Sequence, residues 1–260
     1  MVLTKWFKEI PTGIDGIPLP LDRIDTLEQI LLEKFNQEVI IESVMRLKSK
    51  KNTVVSLKIT PIGSVTTTLV AKMFIAGRFE NELSILKSSW LHGLAVPEVL
   101  EAKDNVILMS FIPGETLVDR INRTFEPHLI DKLAKWYYNY HTTHKQIKGD
   151  PRLRNFICHD DHIFGVDFEE SYSGPWMLDI AGVSASLLDT NPVFDQRKRV
   201  LSWRLLESYL SLFDKKRNEA TDKEFISTLA DILKQTSLWR KDDSILDISE
   251  KIRVEGLPTD

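Results

Sequence analysis

Asp150, Asn155 and Asp167 stand within the stretch KGDPRLRNFICHDDHIFGVDFEE, residues 148–170. The amide follows the first carboxylate by five residues, and the second carboxylate follows a short apolar-turn-apolar passage that reads as a β-hairpin. Oxygen-bearing side chains in this order suit phosphoryl transfer. That reaction asks for little covalent chemistry: it needs a group to orient or deprotonate an attacking hydroxyl, and hard oxygen ligands for Mg²⁺ on the nucleotide phosphates. Asp150 suits the first task, and Asn155 and Asp167 suit the second. Arg152, two residues after Asp150, could set a guanidinium against charge on the transferred group, with structural ion pairing as its competing role. Arg154 could reach an acidic acceptor or a neighbouring loop.

In this arrangement the stretch resembles the kinase-like phosphotransferase superfamily. Asp150 to Asn155 matches D-x-x-x-x-N of the protein-kinase catalytic loop, and Val166-Asp167-Phe168 matches the strand-borne metal aspartate of D-F-G. The closer likeness is to aminoglycoside and choline phosphotransferases, RIO kinases and the small kinase of the tRNA-threonylcarbamoyl complex. Those carry H-G-D-x-x-x-x-N followed by I-D-F, whereas Lys148 here stands in place of the histidine. The resemblance runs from about Val44 to Leu188. It implies an α+β, protein-kinase-like two-lobed fold, with an antiparallel sheet plus helix over residues 1–109 as the nucleotide-binding lobe and a mostly helical catalytic and acceptor lobe over 110–260. It also implies ATP as donor, Mg²⁺ as its metal and a hydroxyl-bearing acceptor.

Other elements must position this stretch. Val70-Ala71-Lys72 ends a β-rich segment and resembles the V-A-I-K strand whose lysine binds α- and β-phosphates. Phe79 to Trp90 has a helical stripe, Phe79, Leu83, Leu86 and Trp90. Glu82 and Glu80 lie about 160° apart around such a helix, so one of them can face Lys72; the E-x-x-I-L beginning at Glu82 favours Glu82. The apolar strand NVILMSF and the following Ile112-Pro113-Gly114 resemble the aminoglycoside-phosphotransferase hinge. There Ser110, Phe111 and Ile112 would contribute to adenine recognition, with Met109 on the inner wall. The turn Lys48–Thr53 occupies the place of the glycine-rich loop without its glycines. Its Ser49, Lys51, Asn52 and Thr53 either contact phosphate by side chain or form a solvated hairpin tip.

Residues 1–20, with three Pro and two Gly, read as an extended arm. Asp25-Thr26 offers cap chemistry for a helix carrying Leu27, Ile30, Leu31 and Phe35. Glu126 to His144 reads as a long helix whose Leu129, Leu133, Trp136, Tyr137 and Tyr140 are core. His141 resembles the structural histidine ending this helix in related kinases, and His144 defaults to the surface. Cys158-His159-Asp160-Asp161-His162 has zinc-binding residue types, but five adjacent turn residues cannot readily point together. Asp179, in Leu178-Asp179-Ile180-Ala181, resembles the aspartate that braces the catalytic loop. No long segment ending in A-P-E follows Asp167, which argues against regulation by loop phosphorylation. Residues 193–255 read as helices with stripes Val200, Trp203, Leu206, Leu210 and Phe225, Leu229, Leu233.

The 260 residues carry a net charge of −4, which gives no general reason to expect nucleic-acid binding. Cys158 is the single cysteine, so no intrachain disulfide can form; no apolar run approaches a membrane span, and no signal peptide is visible. These features indicate a cytoplasmic protein. The residues indicate an ATP-dependent phosphotransferase acting on an alcohol group, with a small molecule favoured as acceptor and a protein partner left open. The alternatives are an atypical Ser/Thr protein kinase and a non-catalytic nucleotide-binding adaptor.

Overall fold

The computed structural model describes residues 3–7, 17–36 and 39–259. They divide into two units, one comprising the chain up to Trp90 together with Pro97–Ile112, the other Leu91–Val96 with the chain from Pro113 onward.

In the first unit, short α1 (Thr4–Phe7) and α2 (Leu21–Phe35) precede strands β1 (Val39–Leu47), β2 (Thr53–Pro61) and β3 (Thr67–Met73). Helix α3 (Phe79–Leu91) and strands β4 (Val99–Lys103) and β5 (Val106–Ser110) follow. The five strands form one antiparallel sheet in the order β1-β2-β3-β5-β4. Side chains of a strand alternate between faces. Val55, Leu57 and Ile59 of β2 and Leu69, Ala71 and Met73 of β3 therefore share the face that packs with Leu27, Ile30 and Leu31 of α2 in one buried cluster. Each of those three α2 side chains is fully buried, worth roughly 1.5–3 kcal/mol apiece. The same alternation turns Lys72 to the opposite face.

The N-terminal boundaries differ from the sequence reading. Helix α2 begins at Leu21 after Pro20, four residues before the expected cap at Asp25, because Pro is well suited to the edge of a first turn. Of the extended arm, residues 1–2 and 8–16 lie outside the described residues; Leu3 precedes the short helix α1 and Phe7 ends it, and both are buried in the sheet's core.

The second unit contains a two-residue strand β6 (Glu115–Thr116) and helices α4 (Leu117–Thr124) and α5 (Pro127–His144). Strands β7 (Phe156–His159) and β8 (His162–Gly165) form the expected hairpin, with β6 added at its edge. Helices α6 (Met177–Leu188), α7 (Gln196–Ser211), α8 (Glu219–Arg240) and α9 (Asp243–Glu255) complete it. The apolar face of α5 is core as expected; Trp136 stacks on Tyr140 at 5.3 Å and donates its indole N–H to Ala95 O. Of the expected stripe on α7, Leu206 and Leu210 are buried, Trp203 is partly buried and Val200 is exposed. The buried face also takes in Lys198, Leu201, Ser202, Leu205 and Tyr209, with Lys198 turned inward to donate to Thr190 O and Oγ1. His144 is partly buried against Tyr140, and burial lowers its pKa, so it is not a plain surface residue. Among the described residues, no helix is long and apolar enough to cross a membrane.

Candidate active site

Lys72 and Glu82 meet within the first unit. Lys72 Nζ donates to Glu82 Oε2 at 2.5 Å, with both side chains buried and the ammonium 4.9 Å from the Phe74 ring centroid. Glu80, on the other side of α3, is exposed. Desolvating either charge alone costs several kcal/mol, so the pair holds its geometry by mutual compensation. Along the hinge segment, Met109 is buried, Ser110 and Ile112 are partly buried and Phe111 is exposed. Ser110 is committed to Glu98: its N–H donates to Glu98 O, and its Oγ accepts from Glu98 N–H, both at 2.9 Å. The N–H groups of Phe111 and Ile112 are left as that segment's candidate donors. In the glycine-poor turn, Asn52 and Thr53 are buried. Asn52 Oδ1 accepts the N–H groups of Ile75 and Ala76, so its oxygen shapes the turn after β3 and does not face solvent as a phosphate contact would.

In the second unit one buried carboxylate organises the stretch that leads into Asp150. Asp179, in the first turn of α6, accepts the N–H of Lys148 at 2.6 Å and of Gly149 at 3.1 Å. Its Oδ2 also lies 3.0 Å from His141 Nε2, while His141 Nδ1 is 2.8 Å from the Tyr209 hydroxyl. A carboxylate accepts, so Nε2–H is the donor to Asp179. The braced loop makes a bridge between Ile147 and Tyr172. Gly149, at φ +80°, passes so close to the Glu170 carbonyl that a Cβ would sit 2.0 Å from its oxygen. Only glycine fits there.

Lys148 occupies the position where a histidine was expected, and it is fully buried. Its Nζ donates to Asp167 O at 2.6 Å and Asp150 O at 3.3 Å, and lies 5.0 and 5.7 Å from the ring centroids of Phe168 and Phe156. One ammonium thus ties the backbones of both aspartates together. Asp167 has a left-handed backbone, φ 64°, which aspartate tolerates better than most residues.

Asp150 and Asn155 are in direct contact. Asn155, in a 3-10 turn (Leu153–Asn155), donates Nδ2–H to Asp150 Oδ2 at 3.0 Å and to Asp150 O at 3.1 Å. Its own Oδ1 accepts no hydrogen bond among the described residues, although the side chain is buried. Arg152 Nε lies 3.1 Å from Asp150 Oδ1. An amide oxygen without a protein donor, with carboxylates nearby, matches the hard donors that Mg²⁺ takes, so these residues fit the ion. Glu169 was missed at the sequence level. It is buried, and a carboxylate oxygen lies within 4.8 Å of one on Asp167; its only sequence signal is its place two residues later. The zinc-like hairpin residues form no metal-holding group among the described residues: Asp161 takes Lys132, and the Cys158 thiol is buried, which raises its pKa to about 11.

The architecture, an antiparallel sheet with a helix in one unit and a helical second unit, is the protein-kinase-like fold. A choline kinase from Cryptosporidium parvum superposes with TM-score 0.66 at 12% identity, over 90% of this chain and 98% of the other. A choline/ethanolamine kinase family protein from Mesorhizobium loti gives 0.61 at 12% identity, over 89% and 95%. An amicoumacin kinase in complex with AMP-PNP, Ca²⁺ and Ami gives 0.58 at 15% identity, over 92% and 96%. No protein-family profile and no curated protein sequence matches the chain.

Proposed function

We propose that the protein is an ATP-dependent phosphotransferase whose acceptor is the hydroxyl of a small molecule. The observation that carries this reading is the pairing of Asp150 with Asn155, whose amide N–H groups hold the aspartate while its Oδ1 stays without a protein donor. Asp150 aligns the acceptor hydroxyl and receives its proton as the acceptor oxygen bonds to the γ-phosphorus of ATP. The bond from that phosphorus to the β,γ-bridging oxygen breaks, ADP leaves with the electron pair, and the proton passes from Asp150 to solvent. Asn155 Oδ1 and Asp167 would hold Mg²⁺, which when bound screens charge on the phosphates. Lys72, oriented by Glu82, steadies the α- and β-phosphates, and Arg152 meets charge on the transferred group. Phe111 and Ile112 offer backbone groups to adenine beside Met109 and Ser110.

A small acceptor is supported by the short passage between Asp167 and Met177, where α6 already begins, and by the names of the solved proteins sharing the fold, kinases of choline, ethanolamine and amicoumacin. The single, buried thiol suits a cytoplasmic setting. The test is transfer of γ-labelled phosphate from ATP with Mg²⁺ to a metabolite pool and, separately, to proteins. Label in small molecules that disappears in Asp150→Asn is expected; label confined to proteins would move the reading to a protein kinase, and no transfer to either would favour the adaptor.

A further inference from the structure

Three arginines gather where the catalytic turn, the end of α6 and the end of α8 come together. Arg152 and Arg154 flank Leu153 in the 3-10 turn, and Leu153 N–H donates to Ser186 Oγ of α6 at 3.1 Å. Asp189 caps the C-terminus of α6, and its Oδ2 lies 2.7 Å from Nη2 of Arg240, the last residue of α8. Arg154 lies within electrostatic reach of the like charges of Arg152 and, more weakly, Arg240, and of the opposite charges of Asp150 and Asp167. Asp189 in turn feels Arg240, Arg152 and Arg154.

Exposure sets Asp189 apart from the arginines around it. The Asp189 side chain is 6% exposed, so it anchors Arg240 from below and is out of reach of a ligand; the Arg240 and Arg152 side chains are 45% and 34% exposed. Arg154 is exposed and has no carboxylate partner among the described residues. An incoming molecule beside Asp150 therefore meets the exposed guanidinium of Arg154 and the outer side of Arg240. Crowded guanidinium groups repel one another unless an anion joins them, and their planar forks match the oxygens of phosphate and carboxylate.

We propose that the acceptor is an anionic alcohol, a hydroxyl-bearing molecule whose phosphate or carboxylate group docks on Arg154 and Arg240 while its hydroxyl meets Asp150. The proposal rests on the phosphotransferase reading above and sets this chain apart from its choline- and ethanolamine-kinase structural neighbours, whose named substrates carry the opposite charge.

The test titrates inorganic phosphate, as a probe of the docking group, into the full chain saturated with AMP-PNP and Mg²⁺, with choline as the cationic control. Phosphate binds, choline does not, Arg154→Gln weakens phosphate binding about tenfold, and Arg154→Lys retains part of it. Arg154 is exposed, so its variants fold, which a thermal melt verifies. Absence of phosphate binding, indifference to Arg154→Gln, preference for choline, or displacement of AMP-PNP by phosphate would each overturn the assignment. If AMP-PNP itself does not bind, the phosphotransferase reading fails, and the same titration on the nucleotide-free chain decides the anion site separately. A parallel transfer assay offers glycerol 3-phosphate, 3-phosphoglycerate, glycerol, choline and ethanolamine; label reaching the cationic or neutral acceptors in preference to the anionic ones would also overturn it.

Discussion

Replacing Lys148 by methionine removes one charge from the interior and keeps most of the side-chain volume. The bond from Lys148 to Asp167 O, at 2.6 Å, comes from a charged donor and is worth about 1.5–3 kcal/mol. The left-handed backbone of Asp167 costs about 1–2 kcal/mol, so this bond is large enough to offset the strain. Burying the ammonium costs several kcal/mol, which methionine avoids, and the global stability of Lys148→Met should therefore change by less than about 2 kcal/mol in either direction. Function should suffer more. With Asp167 and Asp150 no longer tied to a common ammonium, a displacement on the order of 1 Å slows transfer about 100-fold. The Mg²⁺ concentration for half-maximal activity also rises, which simple destabilisation would not cause. Urea unfolding and a Mg²⁺ titration of γ-phosphate transfer measure the two quantities. Wild-type transfer at wild-type Mg²⁺ dependence would refute the reasoning, as would a stability loss large enough to account for the lost activity.

Asp179→Ala leaves the N–H groups of Lys148 and Gly149 and the His141 ring without their common acceptor, and should cost about 3 kcal/mol or more by urea unfolding; a loss below about 1 kcal/mol would contradict its bracing role. Burial raises the Cys158 thiol to about 11, so the folded protein should resist iodoacetamide near pH 8 and react only on unfolding; rapid native labelling would contradict this. Burial lowers Lys198 from 10.5 to about 8, so between those values the unfolded chain binds more protons than the folded one. Stability contributed by this residue therefore rises with pH across that window, and wild type should gain on Lys198→Met between pH 8 and 10.5; a constant difference would contradict it.

Much of the structure around Asp150 was legible because its contacts are local. Asp150 and Asn155 are separated by one short turn, the hairpin alternates visibly, and Lys72 alternates with Ala71 and Met73, which fixes the face it occupies. What escaped depends on partners remote in sequence. The replacement of the expected histidine by Lys148 could be seen, but its two backbone acceptors depend on how residues 147–150 and 167–172 are tied together. On α7 the stripe read from the sequence found Leu206 and Leu210 but not Lys198, a polar residue turned inward for Thr190, nor the exposure of Val200. Strand β6 is too short to show a period, and Arg240 joins Asp189 across 51 positions of chain, which no local pattern signals.

The most direct measurement compares AMP-PNP–Mg²⁺ binding with γ-phosphate turnover in wild type, Asp150→Asn and Asp167→Ala. The account predicts that Asp150→Asn binds the metal–nucleotide complex nearly as wild type while turning over at least about 100-fold more slowly, and that Asp167→Ala loses both metal-dependent binding and turnover. Parallel loss of binding and turnover in Asp150→Asn, or undiminished metal-dependent turnover in Asp167→Ala, would contradict it.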